Sequence, residues 1–338
     1  MVKRVGNLIT RMACLENLHE AFLRAAKGKS GKLAVKEFRR HLDENLWEMS
    51  RQLLDGTFKF GQYHFFTVYD PKKRIICAAS FPERVAFHAM MRICHPVFDE
   101  FQIFDSYASR IGKGTYKALE RAQFFAHRYQ WFAKLDICKY FDSIDHKVML
   151  RQLTRLFKDP QLLIFFRNLL DSYETSDGRG LPIGNLTSQY FANHYLAVCD
   201  HYLKEQLHVK AMVRYMDDIL VFADDRQQLL SQINRARQFV GSELHLELHE
   251  PAVNRTCFGI PFLGYVVFPY GLRLNQRSRR RFCKKMDRLN ESFLLNKIDE
   301  REYSIRASCL HAFIKKADTA DFRYHYSQSN ASIRALTA

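Results

Sequence analysis

The most restrictive feature of the sequence is a pair of adjacent acids between two short apolar runs. Asp217 and Asp218 separate residues 211–216 from residues 219–223. Short apolar runs broken by polar residues predict two β-strands joined as a hairpin, with the acids at its tip. An isolated Asp-Asp pair is usually only a polar turn. However, another apolar run ends directly before Asp136, and it predicts a third carboxylate at a strand end.

These three carboxylates would repel one another unless cations bind between them. Hard divalent cations with oxygen ligands suit such a cluster, and Mg²⁺ typically combines one or two carboxylates with substrate phosphates. Two such ions about 3.5–4 Å apart stabilise the attacking and leaving oxygens of a phosphoryl transfer. The pattern therefore predicts a metal-dependent phosphoryl-transfer site built on Asp136, Asp217 and Asp218.

The charge balance favours a polyanionic partner. The 338 residues include 52 Lys and Arg against 36 Asp and Glu, which gives a formal net charge of +16. A basic excess on an enzyme-sized chain favours nucleic acid ahead of an anionic membrane. Because 47% of the residues are hydrophobic, the composition excludes a disordered basic tail. The length suggests about two or three domains.

Cysteine spacing and hydropathy narrow the cellular setting. No two of the eight cysteines are close enough for a CxxC half-site, which argues against a zinc site of that type. Charges interrupt the first 28 residues, which therefore lack the apolar core of a secretory signal. No run approaches the roughly 18–20 apolar residues that span a bilayer. We expect a reduced, cytoplasmic protein without membrane contact.

Two N-terminal segments have clear periodicity. Apolar residues at helical spacing over 9–23 predict one helix that ends by residues 28–31. Residues 63–79 predict two strands joined by a turn at Asp70-Pro71. Three basic residues follow that turn: Lys72, Lys73 and Arg74. A basic hairpin tip is usually only solvated.

The chain resembles the reverse transcriptases in four motifs, which occur in the same order as in that family. Residues 215–218 match the family's YMDD motif, and Asp136 matches the first aspartate of its motif A. Residues 106–114 resemble a finger motif shared with group II intron enzymes, and residues 262–265 resemble the primer grip that precedes the thumb. The resemblance covers roughly residues 60–270.

The resemblance implies an α+β fold, a right-hand polymerase with fingers, a palm and a short helical thumb. The palm would be an antiparallel sheet with helices packed on it. We expect the N-terminal extension and fingers over 1–128, the palm over 129–268 with a fingers insert around 146–179, and the thumb over 269–338. If these parts occupy the whole chain, we expect no RNase H or endonuclease domain in it.

Residues 180–189, GLPIGNLTSQ, narrow the subgroup. Most reverse transcriptases have Gln where this chain has Ile183, and Ser-Pro where it has Ser188 and Gln189. The pattern is similar to that of the reverse transcriptases of diversity-generating retroelements, as is the stretch 15–32. That resemblance implies copying of a template-repeat RNA into cDNA with errors at template adenines, which diversifies a target gene. It also implies an oligomeric basic accessory protein that binds enzyme and RNA.

The family resemblance assigns roles to the acidic site. Asp136 and Asp217 are expected to hold two Mg²⁺ ions, with Asp218 nearby and the main-chain carbonyl of Ile137 as a further ligand. Mn²⁺ is an alternative ion. One ion would lower the pKa of the primer 3′-hydroxyl, and the other would hold the triphosphate and neutralise the departing pyrophosphate.

Five residues are expected to contact the incoming dNTP: Lys72, Arg74, Phe141, Ile183 and Gly184. Lys binds phosphate as a point charge, and Arg can bind it bidentately. Phe141 lies five residues after Asp136, where the family places the ring that excludes a 2′-hydroxyl. Because Ile183 cannot make the hydrogen bonds of a Gln, we expect it to lower copying fidelity.

The RNA template and the RNA/DNA hybrid are expected to contact the motifs and the start of the thumb. The expected residues are Arg110, Ser188, Gln189, Tyr215, Met216, Phe262, Leu263, Gly264, Tyr265, Arg277, Arg280 and Lys284. A charge run such as 273–285 is usually a solvated face. At the start of a thumb it would follow backbone phosphates without reading sequence, although a protein partner could use the same surface.

One departure from the family concerns motif D, which often has a Lys that protonates pyrophosphate. Residues 243–256 contain His245, His249 and Arg255 but no Lys. Each of the three could instead be a surface residue, and the pattern assigns no general acid.

Two other functions stay open. A phage-defence reverse transcriptase is disfavoured by the pattern over 183–189. A non-catalytic, maturase-like RNA-binding protein belongs to a different class. The intact set of three aspartates argues against it, because clustered carboxylates are costly without a cation to bind.

Overall fold

The structure, a computed structural model, describes residues 4–69, 73–326 and 328. Its α-helices are α1 (Ile9–Ala13), α2 (Leu15–Ala26), α3 (Leu33–Arg40), α4 (Leu42–Asp55), α5 (Phe81–Phe101), α6 (Thr115–Arg128), α7 (Tyr140–Ser143), α8 (His146–Leu156), α9 (Pro160–Asp171), α10 (Leu186–His201), α11 (Arg226–Leu244), α12 (Gln276–Leu294) and α13 (Glu300–Lys315). A π-helical turn, Tyr202–Gln206, follows α10, and a short 3-10 helix, Thr256–Phe258, follows β6. Its strands are β1 (Tyr63–Val68), β2 (Arg74–Ala79), β3 (Trp131–Leu135), β4 (Ala211–Tyr215), β5 (Asp218–Ala223), β6 (Ala252–Arg255), β7 (Ile260–Phe262), β8 (Tyr265–Phe268) and β9 (Gly271–Leu274).

The N-terminal helices form a layer that packs on α5. The prediction of one continuous helix over 9–23 is wrong, because Cys14 has a ψ of 134° and separates α1 from α2. The Asn17 side chain donates to the Met12 carbonyl at 2.9 Å, which satisfies an acceptor that the break leaves without a helical partner. The predicted end is confirmed, since α2 ends at Ala26.

The two strands predicted over 63–79 are confirmed as an antiparallel hairpin. Its register runs from Tyr63 opposite Ala79 to Val68 opposite Arg74. The predicted turn at Asp70-Pro71, and Lys72 after it, lie outside the described residues.

A four-stranded antiparallel sheet with the order β4-β5-β3-β6 forms the centre of the molecule. Successive residues of a strand point to opposite faces. On β5, Ile219 and Val221 belong to the core on the face where α11 packs, whereas Leu220 and Phe222 belong to the core on the face where α6 packs. This confirms the α+β fold and the expected antiparallel sheet with helices packed on it.

A three-stranded antiparallel sheet, β7-β8-β9, follows and leads into α12 and α13. Its side chains share the α6 side of the core with those of α12. The expected boundary at 268/269 falls between β8 and β9 of this one sheet, and the expected insert over 146–179 contains α8 and α9.

Within residues 4–69, 73–326 and 328, no helix is both long enough and apolar enough to cross a bilayer.

Candidate active site

The β4–β5 hairpin carries the adjacent acids at its turn, as predicted. Tyr215 pairs with Asp218, so Met216 and Asp217 form the two-residue turn. Met216 has a φ of 57°, in the left-handed region. This conformation costs a non-glycine residue about 1–2 kcal/mol. The turn therefore needs support from its surroundings.

Asp136 lies beside the same turn. It follows β3, where Leu135 pairs with Ile219 of β5. Continuing this antiparallel register by one residue brings Asp136 opposite Asp218. The Asp136 carbonyl accepts a hydrogen bond from the His249 N–H at 2.9 Å, which ties the end of β3 to the segment before β6.

The three aspartates share one electrostatic environment. Burial raises the pKa of the Asp217 carboxyl, and the charges of Asp218 and Asp136 raise it further, whereas Arg74 lowers it. Asp136 is exposed, while Asp217 and Asp218 are half-buried. The site is therefore a group of interacting carboxylates whose charge is opposed by Arg74 of β2. This strand belongs to the β1–β2 hairpin, here named the finger hairpin because it is expected to lie in the fingers.

Lys134 is a site residue that the sequence reasoning missed. Its Nζ lies 2.9 Å from Asp218 Oδ1 and donates to the Pro261 carbonyl of β7 at 3.3 Å. Strand alternation could have identified it, since residue 134 is two before Asp136 and therefore on the same face. Lys134 gives Asp218 a protein cation and connects it to the strand that begins the primer-grip motif.

This contact bears on how the residues fit metal ions. Among the described residues, no set of three or more His, Cys, Asp or Glu side chains is grouped as a metal-ligand cluster. Because Asp218 is paired with Lys134, Asp136 and Asp217 are the carboxylates of this group that can hold a cation, although Arg74 opposes the charge of Asp217. Two carboxylates, completed by substrate phosphates, are the usual protein contribution to a Mg²⁺ site. The donor set thus fits Mg²⁺ held jointly with a nucleotide. Ile137, whose carbonyl is the further expected ligand, is buried.

The expected nucleotide residues Ile183 and Gly184 lie against β2. The Cys77 N–H donates to the Ile183 carbonyl at 2.8 Å, and the Ala79 N–H donates to Asn185 Oδ1 at 3.3 Å. Gly184 has a φ of 120°, and a Cβ there would lie 2.8 Å from Ile76 Cγ2. Residues 183–185 are therefore hydrogen-bonded to the finger hairpin, and only glycine fits at 184.

Phe141 is joined to the same loop. It lies on α7, half-buried, and its carbonyl accepts from the Leu181 N–H at 2.8 Å. The chain thus links Phe141, Ile183 and the strand that begins with Arg74. Lys72, the other expected triphosphate contact, lies outside the described residues.

The structure gives the finger motif an internal contact network. Arg110 donates from Nε to Asp99 at 2.7 Å and from Nη1 to the Ile103 and Ser106 carbonyls. Its side chain is 11% exposed, so these contacts direct it inward. Ser109 Oγ donates to Gln189 Oε1 at 3.3 Å, while Ser188 is buried in α10.

The primer-grip motif has two buried and two partly exposed residues. Phe262 and Tyr265 pair across the β7–β8 hairpin and are 1% and 0% exposed. Leu263 and Gly264 form the turn with positive φ angles of 48° and 89°. Phe262 and Tyr265 therefore anchor the turn, and Leu263 and Gly264 form its accessible part.

Tyr215, at the end of β4, is hydrogen-bonded to α6. Its hydroxyl accepts from Thr115 Oγ1 at 3.2 Å.

The basic run after the primer grip is helical, in α12. Arg277, Arg280 and Lys284 are exposed at helical spacing. The opposite face buries Ser278, Phe282, Met286 and Leu289. The Asn275 side chain accepts from the Ser278 N–H at 2.7 Å and caps the helix. The helix therefore presents an exposed basic face beyond the primer grip.

The three motif D candidates have separate partners. His245 Nδ1 lies 3.0 Å from Asp145 Oδ2, and His249 Nδ1 lies 3.4 Å from Cys138 Sγ. Arg255 lies over the Trp131 ring, 5.4 Å from its centroid. These contacts do not single out a general acid.

Comparisons with known proteins agree with this arrangement. The family model described as reverse transcriptase (RNA-dependent DNA polymerase) matches residues 71–267, more than half of the chain. The "Putative COX1/OXI3 intron 1 protein" of Saccharomyces cerevisiae is 24% identical over an alignment of 217 residues, which covers 60% of this chain and 26% of that protein. The chain thus spans about a quarter of the length of this curated relative.

Two solved structures of telomerase share the fold. Apo telomerase from Candida tropicalis aligns with a TM-score of 0.51 and 9% identity, over 67% of this chain and 50% of that chain. Telomerase from the same species, in complex with a TWJ fragment of telomeric RNA, aligns with a TM-score of 0.50 and 9% identity, over 80% and 55%. The right-hand polymerase fold is thereby confirmed. Since the family match covers residues 71–267, the chain belongs to the reverse transcriptase family.

Proposed function

We propose that this protein is an RNA-directed DNA polymerase that copies an RNA template from dNTPs. The observation that carries the proposal is the environment of Asp217. Its carboxylate interacts with those of Asp136 and Asp218 at a hairpin turn, and Arg74 opposes their charge from the finger hairpin. Carboxylates that interact at a hairpin turn, with an arginine of β2 near enough to lower the pKa of one of them, suit a metal-bound triphosphate.

The acidic residues would hold the ions. Asp136 and Asp217 would ligate Mg²⁺ with the Ile137 carbonyl, while Asp218 would hold Lys134 and so fix the strand that begins the primer grip. Bound Mg²⁺, or Mn²⁺ in its place, supplies Lewis acidity at the primer 3′-oxygen and the phosphates. Arg74 and Lys72 would bind the triphosphate, Arg74 by a bidentate fork.

Nucleotide selection would use the linked residues of the palm and the 183–185 loop. Phe141 would lie beneath the sugar and exclude a 2′-hydroxyl. Ile183 and Gly184 would border the base pair being formed, held in place by the hydrogen bond to Cys77. Because the loop is anchored to β2, movement of the finger hairpin would carry it along.

The nucleic acid would run from this site along the thumb. Tyr215 and Met216 would meet the primer end, Leu263 and Gly264 would contact its backbone, and Phe262 and Tyr265 would support them. The exposed face of α12, with Arg277, Arg280 and Lys284, would follow phosphates. Ser188, Gln189 and Arg110 would border the template, Arg110 by shaping its loop.

Primer extension on an RNA template with Mg²⁺ tests the polymerase proposal. The parent should extend a DNA primer, and Asp217→Asn combined with Asp218→Asn should abolish extension. Asp224→Asn, on an exposed residue after β5, is the matched control. Extension by the double variant would refute the mechanism. A parent that binds RNA but extends no primer would support a non-catalytic RNA-binding protein instead.

We further propose that the enzyme belongs to the diversity-generating type and makes adenine-mutagenised cDNA from a template-repeat RNA. Ile183 supports this, since an aliphatic residue takes the usual position of Gln in a loop anchored beside the site. An oligomeric basic accessory protein would bind both enzyme and RNA. Sequencing of cDNA should show misincorporation concentrated opposite template adenines. Errors spread evenly over the four template bases would refute this assignment and favour another function, such as phage defence.

A further inference from the structure

Arg214 has the largest side chain among those that are completely buried in the described structure, and its exposure is 0%. It lies on β4, three residues before Asp217. Arginine is almost never fully buried unless it is paired and its donors are satisfied. Its contacts therefore indicate what this position is built to hold.

Asp200 of α10 neutralises the guanidinium. Arg214 Nε donates to the two Asp200 carboxylate oxygens at 2.8 and 2.7 Å, and Nη2 lies 2.6 Å from Oδ2. Nη1 donates to Asn193 Oδ1 at 2.7 Å, and Nη2 donates to Gln102 Oε1 at 2.9 Å. These partners fix the plane of the guanidinium.

The contact relevant to the active site goes to the turn. Arg214 Nη1 also donates to the Met216 carbonyl at 3.1 Å. That oxygen belongs to the peptide that joins Met216 to Asp217, and Met216 has the left-handed φ of 57°. Holding this oxygen fixes the direction in which the chain enters Asp217.

The same residue joins other elements through its main chain. The Arg214 N–H donates to the Asp105 carbonyl at 2.9 Å, and the Arg214 carbonyl accepts from the Tyr107 N–H at 2.9 Å. Asn193 Nδ2 donates to the Ala108 carbonyl at 3.0 Å. Arg214 therefore connects the loop before α6, the helix α10 and the acidic turn.

We propose that Arg214 is a positioning residue for catalysis. Its buried guanidinium, held by Asp200, Asn193 and Gln102, fixes the Met216 carbonyl and so orients Asp217 and Asp218 toward the nucleotide. The proposal rests on the proposed catalytic role of Asp217. A purely structural role would instead make activity follow stability.

The decisive variant removes the buried pair without leaving a lone charge. Replacing a buried ion pair by apolar residues of similar volume is often neutral or stabilising, so Arg214→Met with Asp200→Leu is expected to fold. Its melting temperature should stay near that of the parent. In single-turnover extension, the rate at saturating dNTP should fall about 100-fold, as for a small misplacement of reacting groups, while the dNTP dissociation constant changes little.

Arg92→Met is the matched control. Arg92 is a half-buried arginine of α5 whose Nε donates to Asn17 Oδ1 of α2 at 3.0 Å. The variant should lower the melting temperature and keep the rate within about twofold of the parent, because this hydrogen bond joins two helices away from the acidic turn. A folded double variant with a parental rate would overturn the proposal, as would an equal loss of rate in Arg92→Met.

Two further measurements keep the test decisive. If the double variant does not fold, Arg214→Lys replaces it, because lysine keeps the charge for Asp200 but lacks the fork that also reaches Met216. The same rate loss is expected, and a parental rate would again overturn the proposal. Asp217→Asn tests the proposed function separately: an active Asp217→Asn enzyme would refute the catalytic role of Asp217 whatever Arg214 does.

Discussion

At the residue scale, Ile183 combines an anchored main chain with a side chain that makes no hydrogen bond. We expect Ile183→Gln to lower misincorporation opposite template adenine about tenfold, equivalent to roughly 1.4 kcal/mol or one added hydrogen bond. Sequencing of cDNA made by parent and variant measures this. Ile183→Val keeps the aliphatic character and should keep the parental error frequency. An unchanged frequency in Ile183→Gln would remove Ile183 as the cause of low fidelity.

The ionised carboxylate of Asp217 is expected to lower the free energy of unfolding of the protein. Its folded pKa is raised above the ordinary 3.8 by burial and by Asp218 and Asp136. The folded state therefore binds the proton more tightly, and the stability contributed by this neutral carboxyl is lost as pH rises through the folded pKa. Asn cannot ionise, so Asp217→Asn should be the more stable protein at neutral pH.

Thermal melting in EDTA measures this difference. At pH 7, Asp217→Asn should melt about 1–3 °C above the parent, because one kcal/mol shifts the melting temperature by roughly 2–4 °C in a chain of 150–250 residues and by less in this longer chain. The gap should narrow as pH falls toward 4 and when Mg²⁺ is added to the parent. Asp224→Asn, exposed after β5, should show no gap. A parent that melts as high as Asp217→Asn at pH 7 would contradict the expectation.

At the element scale, the hydrogen-bonded contact between β2 and the 183–185 loop is expected to determine the shape of the nucleotide site. A Cβ at residue 184 would lie 2.8 Å from Ile76 Cγ2 and 3.2 Å from the Cys77 carbonyl, at a φ of 120°. We therefore expect Gly184→Ala to cost about 1–3 kcal/mol of unfolding free energy. It should also weaken dNTP binding. Denaturant titration and single-turnover extension measure the two effects.

Gly241 provides the control for this change. It lies within α11, and, apart from its chain neighbours and the backbone of its own helix, no atom of the described structure lies within 4 Å of a Cβ built there. Gly241→Ala should therefore stabilise the protein by about 0.5–1 kcal/mol, because glycine is unfavourable inside a helix. Equal effects of the two substitutions would show that residue 184 is not closely packed against β2.

The break between α1 and α2 shows where local periodicity is insufficient. The apolar spacing continues across residue 14, yet Cys14 is extended. The Asn17 side chain donates to the carbonyl of Met12, which lies before the break, and to the carbonyl of Ala89 in α5. A long-range hydrogen bond of this kind has no local signal in the sequence.

At the scale of the whole molecule, the effect of the net charge of +16 on nucleic-acid binding depends on where the basic residues lie. If Arg277, Arg280 and Lys284 each contact a phosphate, changing all three to Ala should reduce the slope of log affinity against log salt by about 3. Titrations of an RNA/DNA hybrid at several salt concentrations measure the slope. Arg235→Ala, exposed on α11 at the other face of the sheet, should leave it unaltered. Equal slopes for parent and triple variant would place the hybrid elsewhere.

Local pattern was sufficient wherever side-chain alternation and turn chemistry act over a few residues. It predicted β3, β4 and β5 and the acidic turn, because the strand period leaves a direct record in the order of apolar residues. A helix at the basic run of α12 was expected only because the family resemblance implied a helical thumb. The motifs around them were enough to identify the polymerase fold.

Contacts between distant parts of the chain were decided only by folding. Strand alternation places Lys134 on the same face as Asp136, but its 2.9 Å contact with Asp218 depends on the pairing of β3 with β5. Nothing near Arg214 in the sequence indicates that Asp200, Asn193 and Gln102 surround it. Such ion pairs and hydrogen bonds depend on strand register and on how helices pack across the sheet. They determine which carboxylates stay available for cations, and that property arises from the tertiary structure.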